Sequence, residues 1–127
     1  MSKIPADCRY TKDHEWIRVG EDGVAVIGIT DFAQQELSDI VYVEVETVGE
    51  DLDAEEVFGI VEAVKTTSDL YMPIAGKVVA WNESLEGSPE TINEDPYGGG
   101  WIAKVEPADP ADLEGLLTAE AYEAEIS

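Results

Sequence analysis

Short apolar runs rich in valine and isoleucine, broken every four to eight residues or so by glycine, aspartate or asparagine, recur along the chain and predict strands more often than helices. The predicted strands cover residues 15–19, 24–29, 40–45, 57–64, 77–81 and 101–105. In the third of these, Val41, Val43 and Val45 alternate with Tyr42, Glu44 and Glu46, which assigns the valines to a core face and the others to water. Helix signals are confined to two places. Thr30 is positioned to cap a short helix over 31–37, and Asp109-Pro110 supplies an N-cap followed by proline at the first helical position of 111–117. A further cap at Thr118 begins 119–126, giving a C-terminal helical segment of about 110–127.

From Gly59 to Leu70 an apolar run meets a polar turn, and a second apolar run follows to Trp81. This pattern predicts a hairpin over about 57–81 with Lys65 at its tip. Two stretches also read alike: Val48-Gly49-Glu50 ahead of Val57–Glu62, and Leu85-Glu86-Gly87 ahead of Gly100–Glu106, each a glycine turn before a strand that ends in glutamate. Such a likeness implies two similar β halves packed face to face, joined by the Lys65 hairpin.

At 127 residues the chain is expected to form one domain over 1–127. A formal charge of −22 argues against nucleic-acid and anionic-membrane partners, both of which are held by basic clusters. With seven basic residues against 29 acidic, a lysine displayed at a bend reads as an attachment point. An ordinary lysine is protonated and a poor nucleophile at neutral pH, so its acylation requires a separate enzyme that can reach it.

Other chemistry is sparse. Cys8 is the single cysteine, which excludes an internal disulfide and suits a reduced cytoplasmic setting, and the N-terminus has neither a signal nor a transit pattern. His14 is the single histidine, without a second histidine or a cysteine set for a metal, and no Gly-x-Ser-x-Gly elbow occurs. Gly98-Gly99-Gly100 lacks the following Lys-Ser/Thr of a phosphate loop and reads as a turn, while Trp16, Trp81 and Trp101 read as packing residues.

Five motifs in order carry a resemblance. They are Tyr10-Thr11-Lys12-Asp13-His14-Glu15-Trp16, Gly28-Ile29-Thr30-Asp31-Phe32-Ala33-Gln34, Leu37-Ser38-Asp39-Ile40-Val41-Tyr42-Val43, Val61-Glu62-Ala63-Val64-Lys65 with Ser68-Asp69, and Asn93-Glu94-Asp95-Pro96-Tyr97 with Gly100-Trp101. Together the chain resembles the glycine cleavage H-protein family. The resemblance implies a mainly β fold, the barrel-sandwich hybrid of lipoyl and biotinyl carriers, with a short helix in the N-terminal half and one or two helices at the C-terminus. It implies lipoic acid linked to Lys65, with Glu62, Val64 and Asp69 read by the lipoylating enzyme. Biotin is disfavoured, since Val64 and Thr66 replace the methionines that typically flank a biotinyl lysine.

The implied role is that of a non-catalytic carrier. It takes the aminomethyl group of glycine from a pyridoxal-phosphate decarboxylase to a tetrahydrofolate-dependent aminomethyltransferase, then electrons to an FAD-containing dihydrolipoyl dehydrogenase. Asp13, His14, Glu15 and Asp69 are the expected docking residues for a loaded, cationic arm. Ser38 stands where the family usually has glycine, so a positive φ at that position would strain the serine, and Val45-Glu46-Thr47 lacks a common proline; both departures bear on local loop geometry more than on carrier identity. Competing readings are a lipoyl domain of a 2-oxoacid dehydrogenase, a lipoyl or octanoyl donor in cofactor assembly, and an unmodified acidic interaction module.

Overall fold

The computed structural model describes residues 4–20 and 22–126. In chain order the strands are β1 (Arg9–Tyr10), β2 (Glu15–Val19), β3 (Ala25–Ile29), β4 (Ile40–Glu44), β5 (Asp51–Leu52), β6 (Val57–Ala63), β7 (Thr67–Tyr71), β8 (Gly76–Trp81) and β9 (Ala103–Pro107). The helices are α1 (Asp31–Leu37), α2 (Thr91–Glu94) and α3 (Ala119–Ile126), with 3₁₀ turns at Glu83–Glu86 and Pro110–Gly115. Six strands form one sheet in the order β1-β2-β3-β9-β8-β5, and three form the other in the order β4-β6-β7. Every pairing is antiparallel. The mainly β, sandwich-like architecture expected from the sequence is present.

The sheets meet over one core that takes Ile27 and Val105 from the larger sheet and Val43, Val61 and Leu70 from the smaller. Burying a side chain of this size contributes about 1.5–3 kcal/mol, which is why alternating valines and isoleucines hold these strands in register. The two similar stretches lead into β6 and β9, the middle strands of their respective sheets.

Three expectations need correction. The hairpin ends at Tyr71, because Met72 and Ile74 are buried in the core and carry the chain across to β8, which pairs with β9 and β5 in the other sheet. Residues 57–81 are therefore a hairpin plus a crossing. Val41 is 52% exposed, since β4 shifts register between Ile40 and Tyr42 and a bulge resets the alternation so that Ile40 and Val43 face inward. The helix expected over 111–117 is a 3₁₀ turn. Asp109 does cap it, accepting from the Ala111 N–H at 3.0 Å, but Leu117 exchanges two backbone hydrogen bonds with Tyr10, both 2.9 Å, and this bridge pulls the chain out of helix.

Other elements follow the pattern. Thr30 accepts from the Ala33 N–H at 3.1 Å and caps α1, and Thr118 accepts from the Ala121 N–H at 3.2 Å to start α3. Ser127 lies outside the described residues. A smaller aromatic cluster of Cys8, Tyr10, Trp16, Tyr97 and Tyr122 seats α3 against β1 and β2. Trp16 is fully buried, and its indole N–H donates to the Pro96 carbonyl at 2.9 Å.

Candidate functional site

The hairpin tip is built without glycine. Glu62 pairs with Thr67, and the Ala63 N–H donates to the Thr66 carbonyl at 2.7 Å, which leaves Val64 and Lys65 as the central turn residues. Neither takes a positive φ, so this is not the primed turn that two-residue hairpins favour. An outside contact holds it instead: the Val64 N–H donates to the Asp39 carbonyl at 3.1 Å, tying the tip to the segment between α1 and β4. Lys65 is exposed, and its side chain makes no hydrogen bond or ion pair with the described residues. Val64 beside it is 70% exposed, Glu62 is half-buried, and Asp69 is exposed on β7 opposite Ile60.

Below the tip lies a cleft of about 240 Å³. Asp13, His14 and Glu15 form one wall, Phe32, Ala33, Glu36 and Leu37 of α1 another, and Val61, Ser68, Asp69 and Leu70 of the hairpin a third. All four residues expected to dock an arm therefore share one cleft, while Lys65, Val64 and Glu62 stand outside it at or near the tip. Asp69 is four residues beyond Lys65, about 13 Å along an extended strand. The α1 contribution was not anticipated. Its signal was present as an i, i+4 spacing, Phe32 with Glu36 and Ala33 with Leu37, which puts these residues on one helix face.

Glu15 is the unusual group here. It is 2% exposed, and Oε2 accepts from the Tyr71 N–H at 2.6 Å, while Oε1 is buried without a hydrogen-bond partner. Burial pushes its carboxyl up to about 9 against the lowering effect of the Tyr71 N–H, and the charge of Asp13 adds to the rise. The turn that delivers it is tightly bonded. Thr11 Oγ1 accepts from the N–H groups of Asp13 and Glu15 at 3.2 and 3.3 Å, and His14 takes φ 65°, a region that non-glycine residues seldom occupy.

The remaining sequence candidates have structural surroundings. Cys8 is buried, and that burial pushes its thiol up to about 11, away from the reactive thiolate. Gly98-Gly99-Gly100 wraps Asp95, whose carboxylate accepts from the Gly99 N–H at 2.9 Å. A Cβ at Gly100 would lie 2.7 Å from the Asp95 carbonyl oxygen, so the turn needs glycine for close packing. Among the described residues no cluster of three or more His, Cys, Asp or Glu side chains could hold a metal ion.

The arrangement is an accessible amine on a rigid bend above a partly apolar cleft with a buried carboxyl. The sequence profile of the family described as glycine cleavage H-protein matches residues 8–127. A glycine cleavage system H protein from Neisseria gonorrhoeae is 55% identical over 125 residues, covering 98% of this chain and 94% of that protein. One from Symbiobacterium thermophilum is 56% identical over 124 residues, covering 98% and 96%. The crystal structure of a glycine cleavage system H protein from Mycobacterium marinum superposes with a TM-score of 0.88 at 41% identity, covering 97% of this chain and 98% of that one. Fold, profile and full-length identity agree: the chain belongs to the glycine cleavage H-protein family.

Proposed function

We propose that Lys65 carries a lipoyl group in amide linkage and that the chain shuttles the aminomethyl group of glycine. The route runs from the pyridoxal-phosphate decarboxylase to the tetrahydrofolate-dependent aminomethyltransferase, with electrons then passing to the FAD-containing dihydrolipoyl dehydrogenase. Family membership makes the chain a carrier subunit of the glycine cleavage system and not an enzyme. A cytoplasmic site of action is part of the same proposal. No helix among the described residues is long and apolar enough to cross a membrane.

The observation that carries the reading is Lys65 itself, exposed at a tip that is pinned from both strands and from the Asp39 carbonyl. A lipoylating enzyme would meet the amine in one orientation, with Val64 and Glu62 at or near the tip and Asp69 farther along β7 as recognition contacts. Once attached, the group would supply a cyclic disulfide that accepts a one-carbon cargo or two electrons.

The cleft suits the cargo end. The unpartnered Oε1 of Glu15 offers an acceptor to a cationic amine, and such a neighbour shifts that carboxyl toward its ionised form. Asp13 and Asp69 add negative charge, His14 adds a polar ring, and the apolar side chains of Phe32, Leu37 and Leu70 limit access of water. The effect is to shelter the cargo between encounters. The direct test is intact mass after co-expression with a lipoylating enzyme. A lipoyl increment on the parent and none on Lys65→Arg is the expected result, and an increment retained by Lys65→Arg would overturn the assignment.

A further inference from the structure

One hydroxyl joins two walls of this cleft. Tyr122 on α3 is fully buried, and its ring stacks on Tyr10 at 4.8 Å. Its hydroxyl lies 2.9 Å from His14 Nδ1 and 2.7 Å from Thr30 Oγ1. His14 belongs to the turn that delivers Asp13 and Glu15, and its ring packs on Phe32 at 4.8 Å between centroids. Thr30 caps the helix that delivers Phe32 and Glu36 to the facing wall.

The direction of these bonds follows from counting protons. Thr30 Oγ1 accepts from the Ala33 N–H and has one proton of its own to donate. Were Tyr122 to donate to Thr30, the proton of this fully buried threonine would have no acceptor among the hydrogen bonds of the described residues, a costly arrangement. With Thr30 donating to Tyr122 and Tyr122 donating to His14 Nδ1, both hydroxyl protons have acceptors, and the ring proton of His14 is then on Nε2. A backbone bond from the Thr30 N–H to the His14 carbonyl, 3.0 Å, holds the same two segments together at the main chain. The side-chain relay then fixes the ring of His14, whose φ of 65° requires support from its surroundings.

We propose that the Tyr122 hydroxyl is a positioning group for the cleft, locking the 13–15 turn against α1 so that the space sheltering the cargo keeps its shape. This rests on the docking role given to the cleft above. It assigns the C-terminal helix a part in the carrier function, since Tyr122 of α3 meets His14 through this hydroxyl and through a T-shaped ring contact at 5.8 Å between centroids.

The single histidine makes the test direct. Imidazole ¹⁵N NMR on the unmodified chain reads one ring, and Tyr122→Phe keeps the stack on Tyr10 while deleting the donor. The expected result is an Nε2–H tautomer with a hydrogen-bonded Nδ1 in the parent and a clear displacement of the Nδ1 signal in Tyr122→Phe, with Thr30→Ser behaving as the parent. On the loaded carrier, Tyr122→Phe should raise spontaneous loss of the aminomethyl group about fivefold, the scale of one net hydrogen bond. An unmoved imidazole signal overturns the proposal. So does a parent-like loss rate in Tyr122→Phe while Glu15→Gln speeds loss. If Glu15→Gln leaves the loss rate unchanged, it is the docking role of the cleft that fails, and the imidazole signal still decides whether the hydroxyl holds the turn.

Discussion

Glu15 is a buried carboxyl that the fold itself holds, at the wall of the cleft proposed to receive the cargo. Its carboxyl rises from 4.5 to about 9, so the folded state binds the extra proton between those values. The contribution is whole below 4.5 and is lost progressively as pH rises toward about 9. Its slope reaches at most about 1.4 kcal/mol per pH unit for a single proton. Glu15→Gln resembles the protonated form and keeps an acceptor for the Tyr71 N–H. Urea unfolding at pH 5.5 and 8.5 should therefore show the variant gaining on the parent at the higher pH, and a difference that stays constant would contradict the buried, protonated state.

Among elements, the junction between α1 and β4 holds the hairpin tip and also stores strain. Ser38 ends α1 at φ 64° and ψ −143°, a conformation that favours glycine, as its replacement of the family's usual glycine foretold. What secures the junction is Asn93, whose side-chain amide donates to the Ser38 carbonyl at 2.7 Å and whose Oδ1 accepts from the Ile40 N–H at 3.0 Å. Neither bond involves the serine side chain. Ser38→Gly should thus stabilise the protein by about 1 kcal/mol, read as a raised melting temperature, with Lys65 still acylated at the parental rate. Strand β7 shows the opposite case, a polar Thr-Ser-Asp-Leu-Tyr segment with little strand signal of its own. Its pairing with β6 is what makes it a strand.

For the whole molecule, a charge of −22 creates self-repulsion that salt screens. The screening length falls from about 30 Å at 0.01 M salt to about 10 Å at 0.1 M, so the melting temperature should rise across that range. Association with a partner that presents a basic face should slow over the same range, as stopped-flow mixing would record. A melting temperature independent of salt would mean that the acidic side chains are too dispersed to repel one another effectively.

Features that depend on neighbours along the chain were legible from the residues alone. The valine and isoleucine periods specify most of the long strands, Thr30 and Thr118 mark helix starts, and the polar break between two apolar runs marks the Lys65 bend. The full set of motifs was needed before that lysine could be proposed as a lipoyl site. Features that depend on segments far apart in sequence emerge only when the chain is packed. The bulge that turns Val41 outward, the bridge from Leu117 to Tyr10 that limits the 3₁₀ turn Pro110–Gly115, and the burial of Met72 and Ile74 that ends the hairpin all arise from contacts between distant segments. The cleft is of the same kind. Its walls come from residues 13–15, 29–37 and 61–70, and burial of a carboxyl or a tyrosine hydroxyl between them is a property of the packed sheets, which no local pattern encodes.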